Sequence, residues 1–272
     1  MADKLTALLA ATTTFVEAAT VAKKWRTVRA IEGKLEKAMT RAFRAQGKAF
    51  TKGFASLQGQ FSEALSDDDW VGIWDDVAGR TTQLFLRPIQ RAVQLSLFAA
   101  ADELIADLDI DYTFDLDNPR AVAYIEEHGA NLVSGINDTT RDYIRTIVRN
   151  GTDEGWSYNR MAQAISDRFV DFAVGRPQEH IESRAHLVAV TEVGQAYEAG
   201  NEIVVNDLAD AGLKMEKKWS TIGDGRVSDG CQENESEGWI PLEQAHASGD
   251  MRPLRFPGCR CTELYRRSRG NR

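Results

Sequence analysis

Cysteine is scarce in this chain, with three among 272 residues. An odd number crowded near one end excludes a disulfide framework. It fits a reducing compartment and leaves metal binding as the question for the thiols. Long apolar runs are missing too: nothing approaches about 18 uninterrupted apolar residues, so no membrane segment is expected. The N-terminus MADKLTALLAATTTFVEAA has a short apolar run but lacks the strong basic start and clear cleavage site of a secretory leader. Positive charge is in deficit, with a formal net charge of −8. That argues against a general nucleic-acid binder, because phosphate contact needs clustered Lys and Arg. No Walker loop, zinc-protease helix motif or dinucleotide fingerprint is present. What is there is a globular balance of 43% hydrophobic and 27% charged residues, long enough for one or two domains with a real core.

All three cysteines, Cys231, Cys259 and Cys261, lie in the stretch Trp219 to Arg267, with two of the six tryptophans. The stretch has little helical period, so side-chain interactions must fix it. The chain before it reads as helix. Leu5, Leu8, Leu9, Phe15 and Val16 recur at helical intervals within residues 4–60. Residues 23–52 are basic and include Lys23, Lys24, Arg26 and Arg29, read either as a solvated helix face or as a surface for nucleic acid or an acidic partner. Ser66 is a plausible N-cap for the next helix, with Asp67, Asp68 and Asp69 favouring its positive end; the run lacks the twelve-residue pattern of a calcium loop. That helix spans residues 70–106 and should kink or break at Pro88.

The acidic segment 107–120 reads as a linker rather than a metal site of Asp107, Asp109 and Asp111. Beyond it, one helix is expected over Arg120–Gly129 and a second over Leu132–Arg149, closed by Asn150-Gly151. A third follows Ser157 as N-cap, and a fourth runs from about Glu179 to Asn206. Small residues recur along the fourth at Ala185, Ala189, Val193, Ala196 and Gly200, a spacing that lets another element approach closely. Arg184 and Glu192 lie about 80° apart around that helix, and a buried Glu192 would need an ion pair or hydrogen bond. After Gly212 the period changes to two. Leu213, Met215 and Trp219 share one side, with Lys217 interrupting; short strands are expected there, at 237–242 and at 259–266. The fold class is therefore α+β: helical N-terminal and central regions with a small loop-rich α+β C-terminal domain. The divisions are a helical arm (1–106), the acidic linker (107–120), a helical part (121–210), a cysteine-containing part (211–266) and a basic tail (267–272).

Several motifs occur in a fixed order. They are Arg184-Ala185, Thr191-Glu192 and Ala196 to Asn201 on one helix, then Lys217-Lys218-Trp219 and Asp224-Gly225-Arg226, then Gly238 to Leu242, and last Pro257-Gly258-Cys259-Arg260-Cys261. Upstream stand Ile144, Arg145, Val148, Gly155 and Ser157. In this order they resemble the phage head morphogenesis family, the minor head proteins of tailed phages typified by the Mu F-like proteins, over about residues 120–266. The resemblance implies a non-enzymatic structural protein, present in few copies in the virion head or procapsid interior and in the host cytoplasm during assembly. It implies the portal protein and the major capsid or scaffolding protein as partners, and contact with packaged double-stranded DNA. Lys23, Lys24, Arg26 and Arg29, with Arg266, Arg267 and Arg269 of the tail, are the candidate contacts. Asp224, Arg226 and Glu192 would hold the C-terminal domain together.

The sequence departs from the fuller family pattern of Cys-x-x-Cys after Asp-x-Arg and His-Pro-x-Cys-Arg-Cys at the end. Ser228 stands at the first cysteine position and Phe256 at the histidine position. Zinc would have Cys231, Cys259 and Cys261 as donors, with His246 or Asp229 to complete four. The residues by themselves read as a small buried cysteine cluster without a cofactor. Two enzyme readings stand beside this one. Arg184, Ser220-Thr221 and Glu235-Ser236-Glu237 follow the order of an ADP-ribosyltransferase, except that Ile222 replaces a serine. Cys231 with His246 would make a cysteine hydrolase. A transient DNA-binding assembly factor is a further alternative.

Overall fold

The computed structural model describes residues 2–57, 67–174 and 183–268, and within these the side chains of 2–21, 67–68, 129–130, 158 and 173–174 are left aside. Helices α1 (Ala2–Ala55), α2 (Asp67–Leu108), α3 (Pro119–Asp153), α4 (Tyr158–Val174) and α5 (Arg184–Asp210) precede strand β1 (Met215–Ser220). Helix α6 (Asp229–Ser236) and strands β2 (Ile240–Pro241) and β3 (Thr262–Arg267) complete the described elements. The α+β expectation holds, with the strands confined to the C-terminal part. No helix among the described residues is long and apolar enough to cross a membrane.

The chain forms two compact units, each built from separated segments. Unit 2 comprises Gly33–Arg91 and Ala123–Ala189. Its core follows the helical period of α1, where Leu35, Met39, Phe43, Phe50 and Phe54 are buried. Phe43 meets the Phe85 ring edge-on at 5.1 Å and lies 5.5 Å from Phe172. Gly47 lets α4 close on α1, since a Cβ there would stand 2.6 Å from the Phe169 ring.

Three helix boundaries differ from the expected ones. Helix α2 runs through Pro88, so of the expected kink or break the break does not occur. Proline removes the bond to the carbonyl four residues earlier; that residue, Leu84, is exposed, so water can serve the freed carbonyl. Phe85, Ile89 and Val93 stay buried on the opposite side and hold the helix together. Helix α3 is continuous where two helices are expected. A glycine such as Gly129 costs a helix only about 1 kcal/mol, and the buried row Val133, Ile136, Ile144 and Val148 outweighs it. Gly151 does not end that helix; it lies inside it, 2.6 Å in Cβ terms from Met161 of α4. Gly155 adopts the left-handed conformation instead, at φ 67°. Ser157 does cap α4, accepting from the Arg160 amide at 3.3 Å. Ser66 and residues 179–182 lie outside the described residues.

Unit 1 comprises Met1–Glu32, Ala92–Val122 and Val190–Arg272. Its sheet has the order β2-β1-β3, both pairings antiparallel, with Lys217 opposite Ile240 and Tyr265, and Ser220 opposite Thr262. Along β1 the alternation sends Met215, Lys217 and Trp219 inward. Helix α5 packs on α2 through Gly200, where an added Cβ would lie 2.4 Å from the Leu97 carbonyl oxygen. The small-residue spacing expected for this helix does serve close approach.

Candidate functional site

The site begins with β1, whose pleat buries Trp219 completely. Past the following loop, Ser228 caps α6: it is extended, and its hydroxyl accepts from the Cys231 amide at 3.4 Å. That start turns Cys231 into the interior. The third piece is the turn 257–261. Gly258 takes φ 83°, its amide donates to Thr191 Oγ1 of α5 at 3.0 Å, and the Cys259 amide donates to the Phe256 carbonyl at 3.1 Å. Cys259 and Cys261 both point inward before β3 starts at Thr262. The three Sγ atoms lie within 4.8 Å of one another, packed against Trp219 with Val227 and Leu254 around them.

Between the two cysteines Arg260 points the other way. Its Nη2 donates to Asp224 Oδ2 at 2.6 Å, and Asp224 also accepts from Arg226 Nη2 at 2.9 Å and from the Arg226 amide at 3.1 Å. These bonds, Arg260's first, hold the Asp224 carboxyl down at about 2. The Asp-x-Arg pair and the Cys-Arg-Cys turn are thus fastened to each other.

The sulfurs are electrostatically unequal. Hydrogen bonds from the Cys261 thiol, the Cys261 amide and the Arg255 amide lower Cys259 to about 6. Cys261 is pushed up because its thiol donates to Cys259, and burial raises Cys231. The cluster already favours one thiolate, the form that ligates metals. With Zn–S bonds of about 2.3 Å in a tetrahedron, ligand sulfurs stand roughly 3.8 Å apart, so a contraction of about an ångström would let three sulfurs bind. The residues therefore fit zinc as a three-thiolate site.

The fourth ligand expected from His246 or Asp229 is not in the group. His246 Nε2 faces both Glu263 carboxylate oxygens at 3.2 and 3.1 Å, and Nδ1 lies 3.4 Å from Glu237 Oε2. The ring meets Trp219, which packs on the sulfur cluster, edge-on at 5.1 Å. Carboxylates attract histidine nitrogens more strongly than thiols do, so His246 is held on the other side of the indole. Asp229 and Phe256 are exposed. Burial pushes Glu263 up to about 7, against the lowering effect of His246.

A second buried group, which the sequence reading missed, supports the first. Glu198 of α5 is completely buried. It accepts from the Lys24 ammonium, from Thr262 Oγ1 at 2.9 Å and from the Glu263 amide at 2.9 Å. Lys24 Nζ also donates to the Cys261 carbonyl at 2.8 Å. Lys24 was expected among the surface cations; its burial on Glu198 removes it from any external contact. Glu198 lies on the opposite side of α5 from the small-residue row, so that spacing gave no sign of its burial, and nothing in the sequence paired it with position 24.

The other expected residues are dispersed. Thr191 holds the turn, and Glu192 is buried and has an interaction of its own. Arg184 belongs to unit 2, where it donates to Thr140 Oγ1 at 3.0 Å and the Ile136 carbonyl at 3.1 Å, over the Phe172 ring. Burial lowers it to about 10. Glu235 receives the Thr221 amide at 2.8 Å and hydroxyl at 2.6 Å. Lys23 pairs with Asp107 at 3.1 Å, while Arg26 and Arg29 are exposed. Arg266 lies in β3, bonded to Glu216 at 2.7 Å and stacked 4.2 Å from the Trp239 ring, so it belongs to the sheet rather than to a free tail. Arg267 ends the same strand, exposed, and Arg269 lies outside the described residues.

Residues 142–264 match the family model described as phage Mu protein F like protein. The match takes in α4, α5, the cysteine cluster and most of the sheet, and it spans somewhat under half of the chain. No curated protein and no solved structure matches.

Proposed function

We propose that this chain is a minor head protein of a tailed bacteriophage, acting in procapsid assembly at the portal and the inner capsid. The match of residues 142–264 to the phage Mu protein F like family carries this reading. The disposition of the polar residues supports a structural rather than an enzymatic role. Glu235 is occupied by Thr221, His246 lies between Glu263 and Glu237, and the Cys231 thiol is buried with its pKa raised. Each group that either enzyme reading would use thus has a partner inside the protein or is shielded from solvent. The cysteine cluster is structural in the same reading: it fastens the 257–261 turn to α6, and it can lend three ligands to zinc.

The helical N-terminal half is the docking arm for the portal, the major capsid or the scaffolding protein. Arg26 and Arg29, exposed on this arm, are candidate contacts for packaged DNA. The test is mass spectrometry of purified mature particles and of DNA-free procapsids, quantified against the portal protein. A low, fixed ratio to portal in both is the expected result. Absence from both would overturn the proposal in favour of a transient assembly factor or an enzyme. Glu237→Ala and Cys231→Ala, scored by phage yield, would then separate those two.

A further inference from the structure

Two charged surfaces lie apart from the cysteine cluster. The first belongs to unit 2. Along α1, Arg44, Lys48 and Lys52 are exposed, opposite the buried Phe43 and Phe50. They border a groove of about 410 Å³ between α1 and α4, floored by Phe169 and Val170. Val170 is 51% exposed, and the Thr51 hydroxyl in the same groove is buried without a partner among the described residues. None of the three cations has a carboxylate at ion-pair distance among the described residues, unlike Arg80, Arg141 and Arg145 of the same unit.

The second surface belongs to unit 1, in the segment between α2 and α3. Asp109, Asp111, Asp115 and Asp117 are all exposed, and among the described residues none has a cation at ion-pair distance. Phe114 is buried between them, and the Tyr112 hydroxyl donates to Asp207 at 2.8 Å. Asn118 and Arg120 also bind Asp207. The ridge is therefore held in shape before it meets anything, which lowers the ordering cost of a contact.

At roughly 3.3 Å per residue the chain spans at most roughly 13 Å from Asp111 to Asp115. A helix advances about 1.5 Å per residue, which puts Arg44 and Lys52 roughly 12 Å apart. We propose that the groove bordered by Arg44, Lys48 and Lys52 receives the acidic ridge Asp109–Asp117 of a second copy of this chain. DNA phosphates would match the charge but leave the Phe169 and Val170 floor uncovered. The ridge also carries Ile110 and Leu116, both half-buried, which can cover it. Groove and ridge are different surfaces, so the contact is heterologous and adds copies head to tail, into a ring or an open chain. Exposed ion pairs each contribute little, so the association is weak and sensitive to salt. This self-association does not depend on the head-protein reading.

The test is sedimentation velocity of the full chain over a concentration series, at low ionic strength and in about 0.5 M salt, where the Debye length falls below roughly 5 Å. The expected result is concentration-dependent association at low salt that salt reverses. The triple variant R44E/K48E/K52E and the double variant D111K/D115K, all at exposed positions, should each sediment as monomers. Mixed one to one they should associate again, because each then offers what the other lacks. A monomer under every condition would overturn the proposal. Association that persists in either variant alone, or a mixture that stays monomeric, would also overturn it. So would loss of duplex-DNA binding in the triple variant while its self-association is unchanged.

Discussion

The ammonium of Lys24 sits on the carboxylate of Glu198, 174 positions further along the chain, with both side chains buried. Removing one partner of such a pair strands the other charge, at a cost of about 3–5 kcal/mol, whereas replacing both by apolar or neutral groups is often tolerated. Lys24→Ala should therefore lower stability by about that amount in urea denaturation followed by circular dichroism. Lys24→Met combined with Glu198→Gln should recover most of it, because the glutamine can still accept from Thr262 or the Glu263 amide. A double variant as unstable as the single one would show that the pair is not the source of the loss.

Gly200 tests the packing of α5 on α2. An added methyl would meet the Leu97 carbonyl oxygen at 2.4 Å and the Leu97 Cα at 3.0 Å, both backbone atoms that cannot rotate away. Overpacking of this kind costs about 1–3 kcal/mol. Gly200→Ala should lower the melting temperature by several degrees. Gly135→Ala, with open space around the new methyl, should leave it unchanged or raise it through better helix propensity.

Acid and base act on unit 1 with opposite signs. Asp224 is held at about 2 by Arg260 and Arg226, below its unfolded value of about 3.9. Its contribution is complete above about pH 4 and is lost as pH falls toward 2. Glu263 is raised to about 7 by burial, above its unfolded value of about 4.3. Between those values the folded state holds the extra proton, so stability declines as pH rises from about 4.3 to 7 and is level beyond. These two groups together place the maximum between pH 4 and 5. Stability measured across pH 2–8 should lose its acid limb in Asp224→Asn and its decline toward neutrality in Glu263→Gln. A Glu263→Gln profile that still falls between pH 4.5 and 7 would assign the decline to another group.

The sulfur cluster offers a direct metal test. Cobalt(II) added to the reduced chain should give sulfur-to-metal charge-transfer absorption at one equivalent, and zinc should abolish it. Cys259→Ser should remove the band, because it takes away the sulfur with the lowest pKa. Ser228→Cys adds a thiol at the α6 cap, whose present hydroxyl already accepts from the Cys231 amide, and should raise the affinity at least tenfold. A Ser228→Cys variant no tighter than the parent would mean that the fourth position points elsewhere.

Legibility in the sequence varied by residue. Ser157 was readable as a cap because capping is a matter of three neighbouring residues. The inward row Met215, Lys217 and Trp219 was readable from its period of two, although Lys217 looked like an interruption. It is a member: its ammonium reaches the Met251 carbonyl at 2.7 Å while its stem stays in the core. The motif order Asp224, Arg226, Cys259, Arg260, Cys261 marked the right region, yet the bond from Arg260 to Asp224 crosses 36 positions and had no local sign. His246 looked like a fourth ligand because residue type alone does not say which way a ring faces.

What the sequence determined by itself is whatever repeats within a few residues: the helical period of α1, the alternation of β1, the cap of α4, and the concentration of cysteines at one end. Tertiary structure alone decided that Pro88 and Gly129 interrupt nothing, that Lys24 lies inside, and that three sulfurs converge while His246 turns away. The physical reason is one of range. Backbone preference acts between neighbours and amounts to about 1 kcal/mol per residue. A buried charge or a closely packed helix face is worth several times that, and its partner is fixed only when distant segments meet.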